Sequence, residues 1–198
     1  MFQDPSTVLY FVLTAIFLLV LAIVVYRKWN STPEHQMHLI LKPYIREEIK
    51  EIIIPDGIGG LLEIEHLILM DQGLLLIQTY PMSGNLFGAD TIDQWSQIVD
   101  GRSYKFANPL RHIRTSRQAI MALSPKVPVF CRIIFNANSV FPKGKPDEVS
   151  VINSLAEDMQ DLKNKPALTV ASQQAWEQIM RIARKNGQAV ERQESDNV

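Results

Sequence analysis

The longest apolar run of the chain stands near its start: from Val8 to Tyr26 nineteen consecutive residues, VLYFVLTAIFLLVLAIVVY, carry no charge. As a helix rising about 1.5 Å per residue they span roughly 28 Å, the hydrocarbon thickness of a bilayer. The seven residues before the run carry only Asp4, whereas Arg27 and Lys28 follow it directly with Trp29 beside them. A cleaved leader would need a positive start, a shorter apolar stretch and a small-residue cleavage site. A buried core helix would need protein around every face. The pattern therefore predicts a single-pass anchor over 1–29 in an inner (plasma) membrane, with the following chain on the cytoplasmic side, where flanking basic residues collect.

After a short polar joint at 30–33, Met37, Ile40, Leu41, Tyr44, Ile45 and Ile49 recur at helical spacing, with Pro43 marking a kink or an early stop. Ile52 to Ile54 reads as a short strand and Pro55 to Gly60 as a turn. Two apolar runs, Leu61 to Met70 and Gly73 to Tyr80, are separated only by Asp71 and Gln72, which predicts an antiparallel hairpin. Both faces of its first strand are largely apolar, the mark of a strand buried on both sides. Strands are expected over Asp93 to Val99, Ser103 to Phe106 and Val127 to Phe135. Helices are expected over Pro109 to Leu123, Ala156 to Leu162 and Val170 to Lys185, with a loop over Asn138 to Pro146. The elements imply one α/β domain over 34–186, a central mixed sheet flanked by helices, followed by a tail over 187–198 too polar to order itself.

Composition changes this picture little. Of 198 residues 46% are hydrophobic and 21% charged, enough for one ordinary core, and the net charge of −1 gives no overall attraction to nucleic acid. The lone Cys131 has no partner for an intrachain bridge, which suits a reducing compartment and excludes cysteine-rich zinc ribbons. No phosphate-cradling GxxxxGK[ST] loop and no GxSxG elbow is present. His35 and His38 stand three residues apart, a spacing that permits a metal pair but is met more simply by two solvated side chains.

The run from Leu62 through Tyr80, then Ser83-Gly84, Gly88, Trp95-Ser96-Gln97 and Asn108-Pro109, resembles the nuclease-related domain (NERD) family of the restriction-endonuclease-like group, over roughly Pro33 to Phe141. The resemblance implies a restriction-endonuclease-like sheet and a PD-(D/E)xK site. There a helix glutamate, a strand aspartate and the glutamate of an ExK triplet ligate Mg²⁺ or Mn²⁺, and the lysine helps position water. Glu34 matches the helix glutamate, and Glu65 stands where the family has aspartate. The ExK triplet is replaced by Gln78-Thr79-Tyr80, a neutral amide and a phenol where a carboxylate and an ammonium belong. The family's NPxxQ signature reads Asn108-Pro109-Leu110-Arg111-His112. Losing an anionic ligand removes much of the attraction that offsets dehydrating a hard cation, so the expectation is no cofactor and a catalytically inactive descendant.

The same residues have a structural reading: Glu65 facing solvent at a strand end, Gln78 bonding within the sheet, Tyr80 closing the core. A rearranged, active Mg²⁺- or Mn²⁺-dependent nuclease drawing on Glu63 or Glu48 is the enzymatic alternative. Charge is segregated, with eleven acids against three bases from Glu34 to Asp100 and no acid between Asp100 and Asp147. Arg111, His112, Arg114 and Gln118 form a candidate nucleic-acid surface on one helix; the competing reading pairs the basic stretch with the acidic one. Arg117 falls on that helix's apolar side. The functional expectation is a membrane-anchored module that binds nucleic acid or a protein partner, the alternative being a protein scaffold with no nucleic-acid role.

Overall fold

The computed structural model describes residues 5–30 and 32–185, and the chain divides into two compact units, Met1–Leu39 and Ile40–Val198. The first holds α1 (Pro5–Asn30) and most of α2 (Pro33–Leu41). The described side chains of α1 are Tyr10, Phe11 and those of 13–23, and its large apolar ones are exposed, Tyr10 at 69% and Phe17 at 67%. Among the described residues no helix is long and apolar enough to cross a membrane. The described side chains of α1 form no continuous stretch as long as the ~20 residues a span needs. The anchor expected over Val8 to Tyr26 thus lies partly outside the described side chains, and the expected tail over 187–198 lies wholly outside the described residues.

The second unit is mixed α/β, with two mixed sheets flanked by helices. Its strands are β1 (Glu47–Pro55), β2 (Leu61–Met70), β3 (Gly73–Tyr80), β4 (Gly84–Phe87), β5 (Gln94–Val99), β6 (Arg102–Ala107), β7 (Val129–Phe135), β8 (Ser139–Val140), β9 (Val149–Val151) and β10 (Arg184–Lys185). Its helices are α3 (Pro109–Leu123), α4 (Ile152–Asp158), α5 (Gln160–Lys163) and α6 (Thr169–Ile182). The main sheet runs β10-β1-β2-β3-β7-β9. From β10 through β3 each strand is antiparallel to the next, whereas β3, β7 and β9 are parallel. Joining β3 to a parallel β7 requires a crossover, and the connection includes α3 and three strands of the second sheet, β6-β5-β4-β8, whose strand β8 follows β7.

Burial explains the layering. Leu67, Leu69, Leu74, Leu76, Cys131 and Ile133 point to one side, where Ile113 and Ile120 of α3 and Trp176 and Ile179 of α6 meet them. On the other side Arg132 of β7, almost wholly buried, donates from Nη1 to the Asp147 carbonyl at 2.5 Å and from Nη2 to the Asp158 carbonyl at 3.0 Å, fixing the end of α4. Burial depresses its guanidinium below the ordinary arginine range, partly offset by Asp158 and Glu148. The Cys131 thiol is pushed up to about 12, chiefly by burial, which makes it an inert apolar side chain. The second sheet is held by rings: Trp95 stacks on Phe135 at 6.3 Å and meets Phe106 and Phe141 edge-on.

The predicted hairpin forms with Met70 opposite Gly73, and α3 spans the expected residues. The helix expected to run through Ile49 is corrected: α2 ends at Leu41, a single 3-10 turn follows over Lys42–Tyr44, and Glu47 already begins β1. Pro43 stops the helix, and β1 gains its hydrogen bonds from the long edge of β2. Short strands β4, β8, β9 and β10 were not expected; two- to four-residue strands carry too few positions for a period to show. The last helix consequently ends at Ile182 rather than Lys185, and the helix expected over Ala156 to Leu162 is two pieces, α4 and α5, beginning at Ile152.

Gly73 closes the hairpin at φ +148°, and a Cβ there would stand 2.3 Å from the Pro128 carbonyl oxygen that accepts from Leu74 N–H. Gly73→Ala should therefore cost about 3 kcal/mol or more, read as a lower urea midpoint with an unchanged slope.

Candidate functional site

Where the buried halves of β2 and β3 give way to polar residues, the sheet opens into a cleft of about 330 Å³. Its floor is Ile64, Leu76, Ile77 and Ile113; its polar wall is Glu51, Glu63, Glu65, Gln78, His112 and Ser116. Sheet pairing produces the opening. The β2–β3 ladder stops at His66 opposite Ile77, while β3 continues against β7 as far as Tyr80 opposite Phe135. The backbone edge that β2 leaves is taken by a side chain. Glu65 accepts from the Thr79 N–H at 3.0 and 3.1 Å and from the Thr79 hydroxyl at 2.5 Å.

Gln78 and Tyr80 lie on the same strand face two residues apart, and Gln78 Nε2 donates to the Tyr80 hydroxyl at 3.3 Å. Gln78 Oε1 is buried and has no hydrogen-bond partner among the described residues. Tyr80 stacks on Phe135 at 5.5 Å. Burial, and secondarily the Glu65 carboxylate, raises its phenol above the ordinary tyrosine value, so it remains a neutral hydroxyl near pH 7. On the opposite side of Glu65, between the pairs Lys50–His66 and Ile52–Ile64, Glu51 interrupts β1 with φ +55°, a left-handed conformation that non-glycine residues seldom adopt.

The nuclease-related domain (NERD) family model matches residues 34–136. The chain belongs to this family. No curated protein and no solved structure matches it. The cleft thus brings together three of the positions at which the NERD pattern predicts function, Glu65, Gln78 and His112, with Tyr80 bonded to one of them. Glu34 stands exposed in the first turn of α2, in the unit Met1–Leu39. Of the two substitutes considered for the lost glutamate, Glu63 lines the cleft, whereas Glu48 lies 3.1 Å from His66 Nε2.

Within the cleft these family positions supply one carboxylate, already serving Thr79, one neutral amide and one imidazole, with the Tyr80 phenol bonded to the amide. Such a donor set does not fit a hard divalent cation, which requires several oxygen ligands of high charge density. Among the described residues no group of three or more His, Cys, Asp or Glu side chains is placed to hold a metal.

The NERD Asn108-Pro109 pair has a structural task. Asn108, buried, caps α3 by accepting from Leu110 N–H at 3.0 Å, and its Nδ2 donates to the carbonyls of Ala89, Asp90 and Ile92 at 3.2, 3.3 and 2.8 Å. Trp95 Nε1 donates to the same Ala89 carbonyl at 3.1 Å. That gathered loop carries Asp90 and Asp93, which pair with Arg114 at 2.7 Å and with Arg111. Arg114 Nε also donates to Glu148 at 2.7 Å, and this bond is the largest cause that raises its guanidinium above the ordinary value. Arg117 Nη1 lies 3.9 Å from Glu148, and Gln118 is exposed. Arg111 and Arg114 of the basic stretch thus pair with Asp93 and Asp90 of the acidic one. Glu51 and Ser116 were not expected in the cleft. Glu51 gives no signal, because its place depends on a backbone inversion; Ser116 stands one helical turn after His112 and was legible from that spacing alone.

Two outcomes follow. Asn108→Ala should lower stability by about 2–3 kcal/mol in urea unfolding, because it strips the cap and takes the side-chain donor from the Asp90 and Ile92 carbonyls, whereas that of Ala89 keeps Trp95. In a high-pH absorbance titration Tyr80 should ionise above ordinary tyrosines, and Glu65→Gln, which keeps an acceptor for Thr79, should bring the midpoint partway down. The stability tied to this raised phenol is intact below the ordinary tyrosine pKa and is lost as pH rises through the folded-state value.

Proposed function

We propose that this NERD domain, on a restriction-endonuclease-like sheet, is a catalytically inactive binding module for nucleic acid or a protein partner, tethered to the inner (plasma) membrane with the domain on the cytoplasmic side. The observation that carries the inactive reading is the engagement of Glu65 by Thr79, next to a triplet that lacks both the carboxylate and the ammonium of phosphodiester hydrolysis. The tether is supported by the charge-free run from Val8 to Tyr26, by Arg27 and Lys28 after it, and by the exposed apolar side chains described in α1. The order of β1, β2 and β3 as an antiparallel meander, with β7 parallel to β3 beyond α3, supports the sheet assignment.

A specific observation favours the scaffold reading without a nucleic-acid role. Arg111 and Arg114 spend their charge on Asp93, Asp90 and Glu148, which lowers the attraction left for a phosphate backbone. Glu63, which lines the cleft with Glu51, is the considered substitute on which an active rearranged site with Mg²⁺ or Mn²⁺ would draw.

The purified chain, incubated with plasmid and single-stranded DNA in Mg²⁺ or Mn²⁺, should leave both intact, and calorimetric titration with Mn²⁺ should show no tight binding. Cleavage that disappears in Glu65→Ala defeats the inactive reading. Binding of DNA that falls steeply with salt and with Arg111→Glu/Arg114→Glu would select nucleic acid as the ligand; its absence selects a protein partner.

A further inference from the structure

We infer that the end of the Ile40–Val198 unit at the β2–β3 turn docks on an anionic phospholipid surface, through Lys163, Lys165 and the exposed Leu168 and Val170. This end is the far end of the strands from the cleft. The inference rests on the membrane tether proposed above for its setting, since the unit begins at Ile40, two residues before the exposed Lys42. Its chemistry comes from the loop itself.

Residues 163–170, KNKPALTV, are exposed without interruption. They are nevertheless held in place. Leu168 N–H donates to the Asp71 carbonyl at 2.7 Å, and the Thr169 hydroxyl donates to Asp71 Oδ1 at 3.3 Å. Lys163 Nζ lies 5.2 Å from the centre of the Tyr44 ring, and Lys165 Nζ lies 5.7 Å from that of Phe130. Each ammonium thus stands at cation–π distance from a ring while both residues stay exposed, and Leu168 and Val170 remain 37% and 72% exposed.

Around them stand Lys42, Arg46 and Lys126, the last lining a cavity of about 350 Å³ with Ala171 and Ala175. The acids at this end are Asp71, which Arg46 meets at 3.4 Å, Glu47, which accepts from Gln173, and the exposed Asp161. Five bases against three acids leave a local positive excess in a chain whose net charge is −1. By contrast the cleft end carries Glu51, Glu63 and Glu65. An anionic bilayer therefore attracts one end of the unit and repels the other.

Basic side chains interleaved with aliphatic ones match a lipid interface, where ammonium groups meet phosphates and short apolar chains enter the acyl boundary. A nucleic acid would leave Leu168 and Val170 without a function, since neither offers a ring on which a base can stack.

The full chain is reconstituted in nanodiscs of phosphatidylcholine alone or with phosphatidylserine, and amide hydrogen exchange is followed over 160–172. Exchange should slow in the phosphatidylserine discs only, and should return to the neutral-disc rate in high salt and in Lys163→Glu/Lys165→Glu. Equal exchange in both discs overturns the docking face while leaving the tether standing. If the chain does not remain with the discs, the tether fails, and pelleting with phosphatidylserine vesicles decides the face separately. Retention that drops about tenfold or more in the double variant supports it, and no retention overturns it. Protection of 160–172 by a single-stranded oligonucleotide that displaces the vesicles also overturns it.

Discussion

A strand stack with no polar side chain along its inner half has to be covered on both faces, and that requirement organises the rest of this domain. Leu67, Leu69, Leu74, Leu75, Leu76 and Ile77 are buried essentially to completion, so β2 and β3 cannot lie at a surface. Helices α3 and α6 cover one side, and α4 lies on the other, pinned by the carbonyl bonds of Arg132. The parallel partner β7 can be reached only by a long connection, and that connection delivers α3, with His112 and Ser116, to the mouth of the cleft.

The cleft is what remains where this burial stops. At Glu65 and Gln78 the side chains become polar, the ladder between β2 and β3 ends, and β1 inverts at Glu51. Each feature opens backbone that must find a partner, and at Thr79 the partner is a carboxylate. The chemistry that the family pattern assigns to Glu65 competes with this demand, and the glutamate arm, one methylene longer than the aspartate it replaces, spans the distance to the neighbouring strand.

Long periodic segments were legible in the sequence because burial imposes their pattern: the hairpin, α3 and the buried β7 all stand where alternation or helical spacing puts them. The family, too, was legible, since its ordered motifs are spread through the hairpin and on to Asn108-Pro109. What escaped depended on partners distant in sequence. Strand β10 exists because residues 184–185 meet Ile53 and Ile52, and Ile49 is in a strand because β2 offers Leu67. The tie between Asp90 and Arg114 required the loop to be folded over Asn108, which no local spacing announces.

The bond between Glu65 and Thr79 also bears on how such a domain can change over generations. A carboxylate introduced at position 78 would stand beside a glutamate whose oxygens are committed to a strand edge. A lysine introduced at position 80 would remove the ring that lies on Phe135. Each change alone adds repulsion or loses packing before any ligand set is complete. A side chain that holds the architecture thereby acts as a ratchet, lengthening the mutational road to an ExK triplet.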